Sequence, residues 1–116
     1  VAIFDRVIAA WAALYCSSAI AFGAYASHGL QGQSQEWAQT AVAYLLPHGI
    51  ALFFLARISP TRIHRLSLLI LLAGLTLFAG SLLGAALWHW STRFAPLGGS
   101  LLMLGWLVQA VSVLRR

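Results

Sequence analysis

Charge is what this sequence has least of. Only 8% of its 116 residues are charged, lysine is missing altogether, and Asp5 and Glu36 are the only acids. A soluble domain carries roughly 25% charged residues to cover its surface, so an ordinary water-facing exterior is excluded. Cysteine occurs once, as Cys16, which rules out an intrachain disulfide and any thiolate zinc cluster made by this chain alone; in an apolar run it reads as a small packing residue. No period-two alternation of barrel-strand length is present. There is also no GxSxG, no glycine-rich phosphate loop, no HExxH and no carboxylate pair. The chain is therefore read as not an enzyme, with no cofactor and no metal. The basic residues, seven arginines, form no stripe along one face, so nucleic acid is not an expected partner.

What remains is apolar: 61% of the chain is hydrophobic. A bilayer core takes about 20 predominantly apolar residues per helix, and four segments meet that length, about 7–26, 38–56, 66–87 and 97–114. The expectation is an all-α fold, one four-helix transmembrane bundle spanning 1–116, with the lipid bilayer as its first partner. The first segment is too long for a signal-peptide core and reads as a retained helix. A turn-rich stretch from Ser27 to Glu36 is expected to link the first two helices, Glu36 opening the second, where a carboxylate favours the positive end of the dipole. Pro60 is expected to end the second helix, with Ser59 or Thr61 capping the third. Pro96 falls in the first turn of the fourth, where proline is tolerated.

The arginines set a direction. With four spans, Arg6, Arg57, Arg62, Arg65, Arg115 and Arg116 share one side and Arg93 stands alone on the other. Positive charge in short loops marks the cytoplasmic side, so both termini are expected to be cytoplasmic. Trp37, Trp88 and Trp90 then make an outer interfacial belt.

Small residues mark where helices approach in lipid. Ala9, Ala13, Ser17 and Ala21 recur every four residues in the first helix, Gly80 and Gly84 form a GxxxG pair in the third, and Gly98, Gly105 and Ser112 repeat at seven in the fourth. These faces serve intrachain packing or oligomerisation.

Polar groups inside a membrane are functional candidates because each is costly unless paired. Glu36, Thr40, Tyr44 and His48 follow one another at intervals of four, drifting by about 40° per step around the helix. His48 falls about 15 Å from the outer surface and Ser81 about 9 Å, level with Tyr44; His28 closes the first helix on that side. Pro47 deprives the Ala43 carbonyl of its usual helical donor. Two readings stand side by side. In one, an outward-facing polar vestibule uses His48 as proton acceptor or ligand and Tyr44 as donor; in the other, His48, Tyr44, Ser81 and the Ala43 carbonyl satisfy each other across helices. His64 and His89 are expected in solvated loops, and Gln109 is expected to bond a neighbouring helix or subunit.

Gly23-Ala24-Tyr25-Ala26-Ser27-His28-Gly29-Leu30, Trp37, Thr40-Ala41-Val42-Ala43-Tyr44 and His48 resemble the family catalogued as domain of unknown function 423, which includes bacterial inner-membrane proteins and the eukaryotic transmembrane protein 256. Leu77-Phe78-Ala79-Gly80-Ser81-Leu82, Pro96-Leu97-Gly98-Gly99 and Gly105-Trp106 are similar to its second half. The resemblance implies a small four-helix protein of a bacterial inner membrane or a mitochondrion. It singles out His28, Tyr44, His48, Gly80, Ser81, Pro96, Gly98, Gly99 and Gly105, and adds Gly99 to the packing positions. Pro47 and Leu83 depart from the family pattern, which bears on the aromatic lining of a shared pocket rather than on the fold. The leading functional expectation is a structural or accessory subunit packing within a larger membrane complex or a homo-oligomer; the alternative is a small transporter, proton conduit or ligand-binding protein using the vestibule.

Overall fold

The computed structural model describes residues 3–58 and 61–115. Ser59 and Pro60, the expected cap and breaker, lie outside the described residues, as does Arg116. Four helices account for nearly all of the rest: α1 (Ile3–Gly29), α2 (Gly32–Leu55), α3 (Arg62–Trp88) and α4 (Ala95–Leu114). Each is long and apolar enough to cross a membrane, and the long axis of 46 Å compares with roughly 40–45 Å for a bilayer with its headgroups.

The helices run past the apolar segments at most of their ends because polar residues also complete their turns. The expected Ser27–Glu36 loop is the clearest correction, since only Leu30 and Gln31 separate α1 from α2. Gly32 makes this abrupt reversal with φ of +62°, a left-handed conformation that glycine adopts without steric cost. The Gln35 side chain then donates to the Ala26 carbonyl, 2.9 Å away, satisfying one of the acceptors that a helix end leaves without an intrahelical partner. Glu36 therefore sits beyond the first turn of α2 rather than opening it. Thr61 does cap α3, its Oγ1 accepting from the His64 amide at 3.1 Å, and Pro96 occupies the first turn of α4.

Backbone contacts run from α1 to α2, α2 to α3 and α3 to α4. The bundle is thus open between α2 and α4. Its central element is α3, whose Leu68, Leu71 and Leu75 are fully buried. Glycines decide how closely the helices approach. A Cβ on Gly98 would stand 2.4 Å from the Phe78 amide nitrogen, one on Gly74 would stand 2.8 Å from that of Leu102, and one on Gly105 would meet the Leu71 side chain at 2.7 Å. Across α1 and α2, a Cβ on Gly49 would meet Cys16 Sγ at 2.8 Å.

Two of the expected packing motifs lie elsewhere. Gly80 is exposed, with nothing within 4 Å of a Cβ there, and Gly84 lies under the Trp90 ring rather than against another helix. In α1, Ala9 is buried but Ala13, Ser17 and Ala21 are exposed. The buried face is instead Asp5, Ala12, Ala19 and Ala26, seven residues apart. Steps of seven drift by only about 20° on an α-helix, whereas successive steps of four wind away by about 40° each.

The interior polar groups are another correction. They lie at the arginine-bearing end, not in the half holding Tyr44 and Ser81. Asp5, His64, Ser67, Gln109 and Ser112 are all buried. His64 belongs to α3 and is fully buried rather than in a solvated loop; its Nε2 lies 2.7 Å from the Leu55 carbonyl. Ser67 Oγ and Gln109 Oε1 meet at 2.5 Å, joining α3 to α4. Arg65 Nη2 reaches Asp5 Oδ2 at 3.4 Å, joining α1 to α3, and its guanidinium lies over the Phe4 ring. Farther along the same pair, the Tyr15 hydroxyl bonds Thr76 Oγ1. The Thr76 proton goes to the Leu72 carbonyl, so Tyr15 is the donor.

At the opposite end, α3 stops on His89 in a left-handed conformation, φ 59°. The His89 amide donates to the Ala85 carbonyl at 3.1 Å and the Trp90 amide reaches back to the Gly84 carbonyl at 3.3 Å, so the chain folds back over the last turn of α3.

Candidate functional site

Because α2 and α4 share few backbone contacts, a cleft of about 730 Å³ opens between them, with Phe78 of α3 in its floor. Tyr44 and His48 come from α2; Pro96, Gly99, Met103 and Trp106 come from α4. From Ala95 to Trp106 the lining follows α4 over eleven helical steps, about 16 Å at the helical rise. Phe78 meets Tyr44 edge-on at 4.9 Å between ring centroids, Tyr44 stacks on His48 at 6.2 Å, and His48 lies 5.9 Å from Trp106. A row of four rings therefore walls the cleft.

His48 is held at both nitrogens. Nδ1 lies 2.8 Å from the Tyr44 carbonyl, and Trp106 donates its indole N–H to Nε2 at 3.0 Å. A carbonyl only accepts and an indole N–H only donates, so the ring is neutral with its proton on Nδ1. The expected proton acceptor or ligand thus has no free nitrogen to offer. Tyr44 differs: its hydroxyl bonds no described residue. The Ser100 hydroxyl is turned back onto the Pro96 carbonyl at 2.9 Å.

The structure brings together only two of the six residues expected to form a polar group. Tyr44 and His48 share the cleft. Glu36 and Thr40 line a separate shallow groove with Gln33 and Trp37. Ser81 faces another hollow with Trp90 and Phe94 and donates to the Ser91 carbonyl at 3.4 Å. His28 is exposed at the end of α1. The drift of about 40° per four residues is enough to carry Glu36 and Thr40 off the face that Tyr44 and His48 occupy. Phe78, Met103 and Trp106 were not among the expected site residues. One signal could have found Trp106: tryptophan prefers the membrane interface, and one placed mid-helix needs an acceptor for its N–H.

Residues 22–99 match the family described as "Protein of unknown function (DUF423)". The chain belongs to that family. It is 33% identical over 99 residues to a UPF0382 membrane protein of Haemophilus influenzae, covering 76% of this chain and 77% of the relative. A UPF0382 membrane protein of Staphylococcus epidermidis is 32% identical over 112 residues, covering 89% and 91%. One of Staphylococcus aureus is 30% identical over the same length and shares. No solved structure matches the chain. The family, its bacterial relatives and four membrane-length helices together make this a membrane protein in contact with lipid.

Proposed function

We propose that this is a non-enzymatic binding protein whose α2–α4 cleft holds an elongated apolar molecule bearing one hydrogen-bond acceptor. The observation that carries the reading is the aromatic-walled cleft with a single unbonded polar group, the Tyr44 hydroxyl, on its wall. Ligand sites are mostly apolar hollows of about 300–1,000 Å³ with a few placed polar groups, and this one fits that description. No carboxylate of a described residue lines it and His48 is fully engaged, which argues against proton transfer or catalysis there. Gly99 offers a way to test it, since a Cβ would make only ordinary contact, 3.7 Å from Phe78. Protein isolated in native lipid discs, extracted and examined by mass spectrometry, should carry a compound enriched over the surrounding membrane. Gly99→Ile should displace it, and Tyr44→Phe should weaken its retention roughly tenfold. An extract indistinguishable from bulk lipid in all three proteins would end the proposal.

A second reading, an accessory subunit or homo-oligomer, rests on α1. Ala10, Ala13, Ser17, Ala21 and Ala24 are all exposed and fall within about 80° of one another around the helix. Small residues let membrane helices approach closely, and no other helix of this chain covers this ridge. Ala13→Phe with Ala21→Phe should dissociate any complex preserved in gentle detergent; a wild-type monomer in lipid would count against this reading.

For placement, we propose the bacterial inner membrane with both termini cytoplasmic. Arg57, Arg62, Arg65 and Arg115 gather at one end of the bundle and Arg93 at the other. Reporters fused to each terminus test the orientation, and a periplasmic signal from either would reverse it.

A further inference from the structure

A second hollow, of about 280 Å³, opens at the arginine end where the start of α3 meets the finish of α4. It is lined by Thr61, Arg62, Ile63, Ser112 and Arg115. Ser112 is 1% exposed, and its hydroxyl has no hydrogen-bond partner among the described residues. A buried polar group is normally paired, and a serine in a helix usually has a carbonyl one turn back within reach, so an orphaned hydroxyl at a pocket wall calls for an external partner. The surroundings specify its charge. Arg62 and Arg115 flank the hollow, no carboxylate of a described residue lines it, and the first turn of α3 presents the positive end of its dipole. The C-terminal carbonyls of α4 would repel an anion, but Arg115 stands at that end and offsets them.

We propose that this pocket binds a phosphate group, with the Ser112 hydroxyl donating to one oxygen while Arg62 and Arg115 neutralise the others. The hollow lies at an end of the bundle, at the depth where lipid headgroups sit, and basic pockets between transmembrane helices are suited to anionic headgroups. A phospholipid phosphate and free inorganic phosphate share this chemistry, and the experiment separates them.

Purified protein in mild detergent is titrated with phosphatidylglycerol or with diacylglycerol of the same chains, which lacks the phosphate, and bound lipid is counted by native mass spectrometry. A parallel series adds inorganic phosphate. One phosphatidylglycerol per chain is expected, held about tenfold more weakly by Ser112→Ala, which loses a hydrogen bond to a charged group. Arg62→Gln with Arg115→Gln should weaken retention at least as much. Arg57→Gln, at the same end but outside the pocket, should leave it unchanged. Phosphatidylglycerol that survives millimolar inorganic phosphate identifies the lipid as the source; displacement identifies free phosphate, and both support the site. Equal retention of the two lipids without phosphate binding, unchanged binding in Ser112→Ala, or equal weakening by Arg57→Gln would each overturn it. If Ser112→Ala does not fold, the comparison of the arginine variants decides.

Discussion

The two ends of this bundle solve the same problem in opposite ways. At the arginine end, polar side chains point inward and pair across helices: Asp5 with Arg65, Ser67 with Gln109, and His64 with the Leu55 carbonyl. At the tryptophan end the interior is apolar, with buried Ala26, Ala38 and Ala86 under Leu30, Trp37 and Leu83, while Glu36, Thr40 and the stacked Trp88 and Trp90 face outward. The aromatic cleft occupies the stretch between. Polar residues occur at both ends, so composition does not distinguish them; the direction each side chain takes from its helix does. One end is locked by several buried side-chain pairs between helices; at the other the Gln35 side chain ties α2 to the Ala26 carbonyl of α1 and the rest of the interior is apolar contact.

The strongest way to break this comparison is to attack the contact common to both ends. Gly98→Ala places a methyl against the α3 backbone, where no flexible side chain can give way, and should cost roughly 3 kcal/mol. Gly80→Ala, on an open face, should raise stability by up to about 1 kcal/mol through helix propensity alone. Thermal unfolding in detergent ranks the pair, and a Gly98→Ala protein as stable as wild type would remove the α3–α4 contact from the argument.

At the polar end, Arg65→Leu leaves the buried Asp5 carboxylate unpaired and should cost about 3 kcal/mol. Adding Asp5→Leu should recover most of that loss, because a well-packed apolar pair often equals a buried ion pair. A double variant no better than Arg65→Leu would mean that the charges do not act as a pair.

In the cleft, Trp106→Phe should cost about 1 kcal/mol and shift the ¹⁵N resonance of His48 Nε2, which in wild type should report an unprotonated nitrogen accepting a hydrogen bond. A wild-type spectrum with the proton on Nε2 would reverse the tautomer assignment. The smallest effect is expected at the tryptophan end, where His89→Gly relieves a left-handed residue. It should raise stability by roughly 0.5–1 kcal/mol, read as a higher unfolding temperature.

The spans were legible because four runs of about 20 apolar residues have few other uses. The inner faces were not. In water the apolar stripe of a helix marks its buried side, but in a bilayer both sides are apolar, so the four-residue stripe of small residues in α1 reads as a packing face although only Ala9 of it is buried. The buried face runs instead through Ala12, Ala19 and Ala26. His64 was hidden by its neighbours: set among arginines, it resembled loop. The cap at Thr61 was a usable signal, since a helix beginning at Arg62 puts His64, Ser67, Leu68, Leu71 and Leu75 on one face by three-residue and four-residue steps, and all five are buried. Tyr44 and His48 lie one turn apart on α2, but the Phe78 and Trp106 rings they meet come from other helices, which no spacing along α2 reveals. Gln109 does bond a neighbouring helix, through Ser67.

Gly74 and Gly98 do not line the aromatic cleft, yet they act as its gauge. They let α4 rest directly on the backbone of α3, and that seating brings Trp106 within reach of His48. A single methyl wedged behind the wall would swing α4 outward and pull the indole from the imidazole. The aperture is thus machined from the rear by two residues that whatever occupies it never touches.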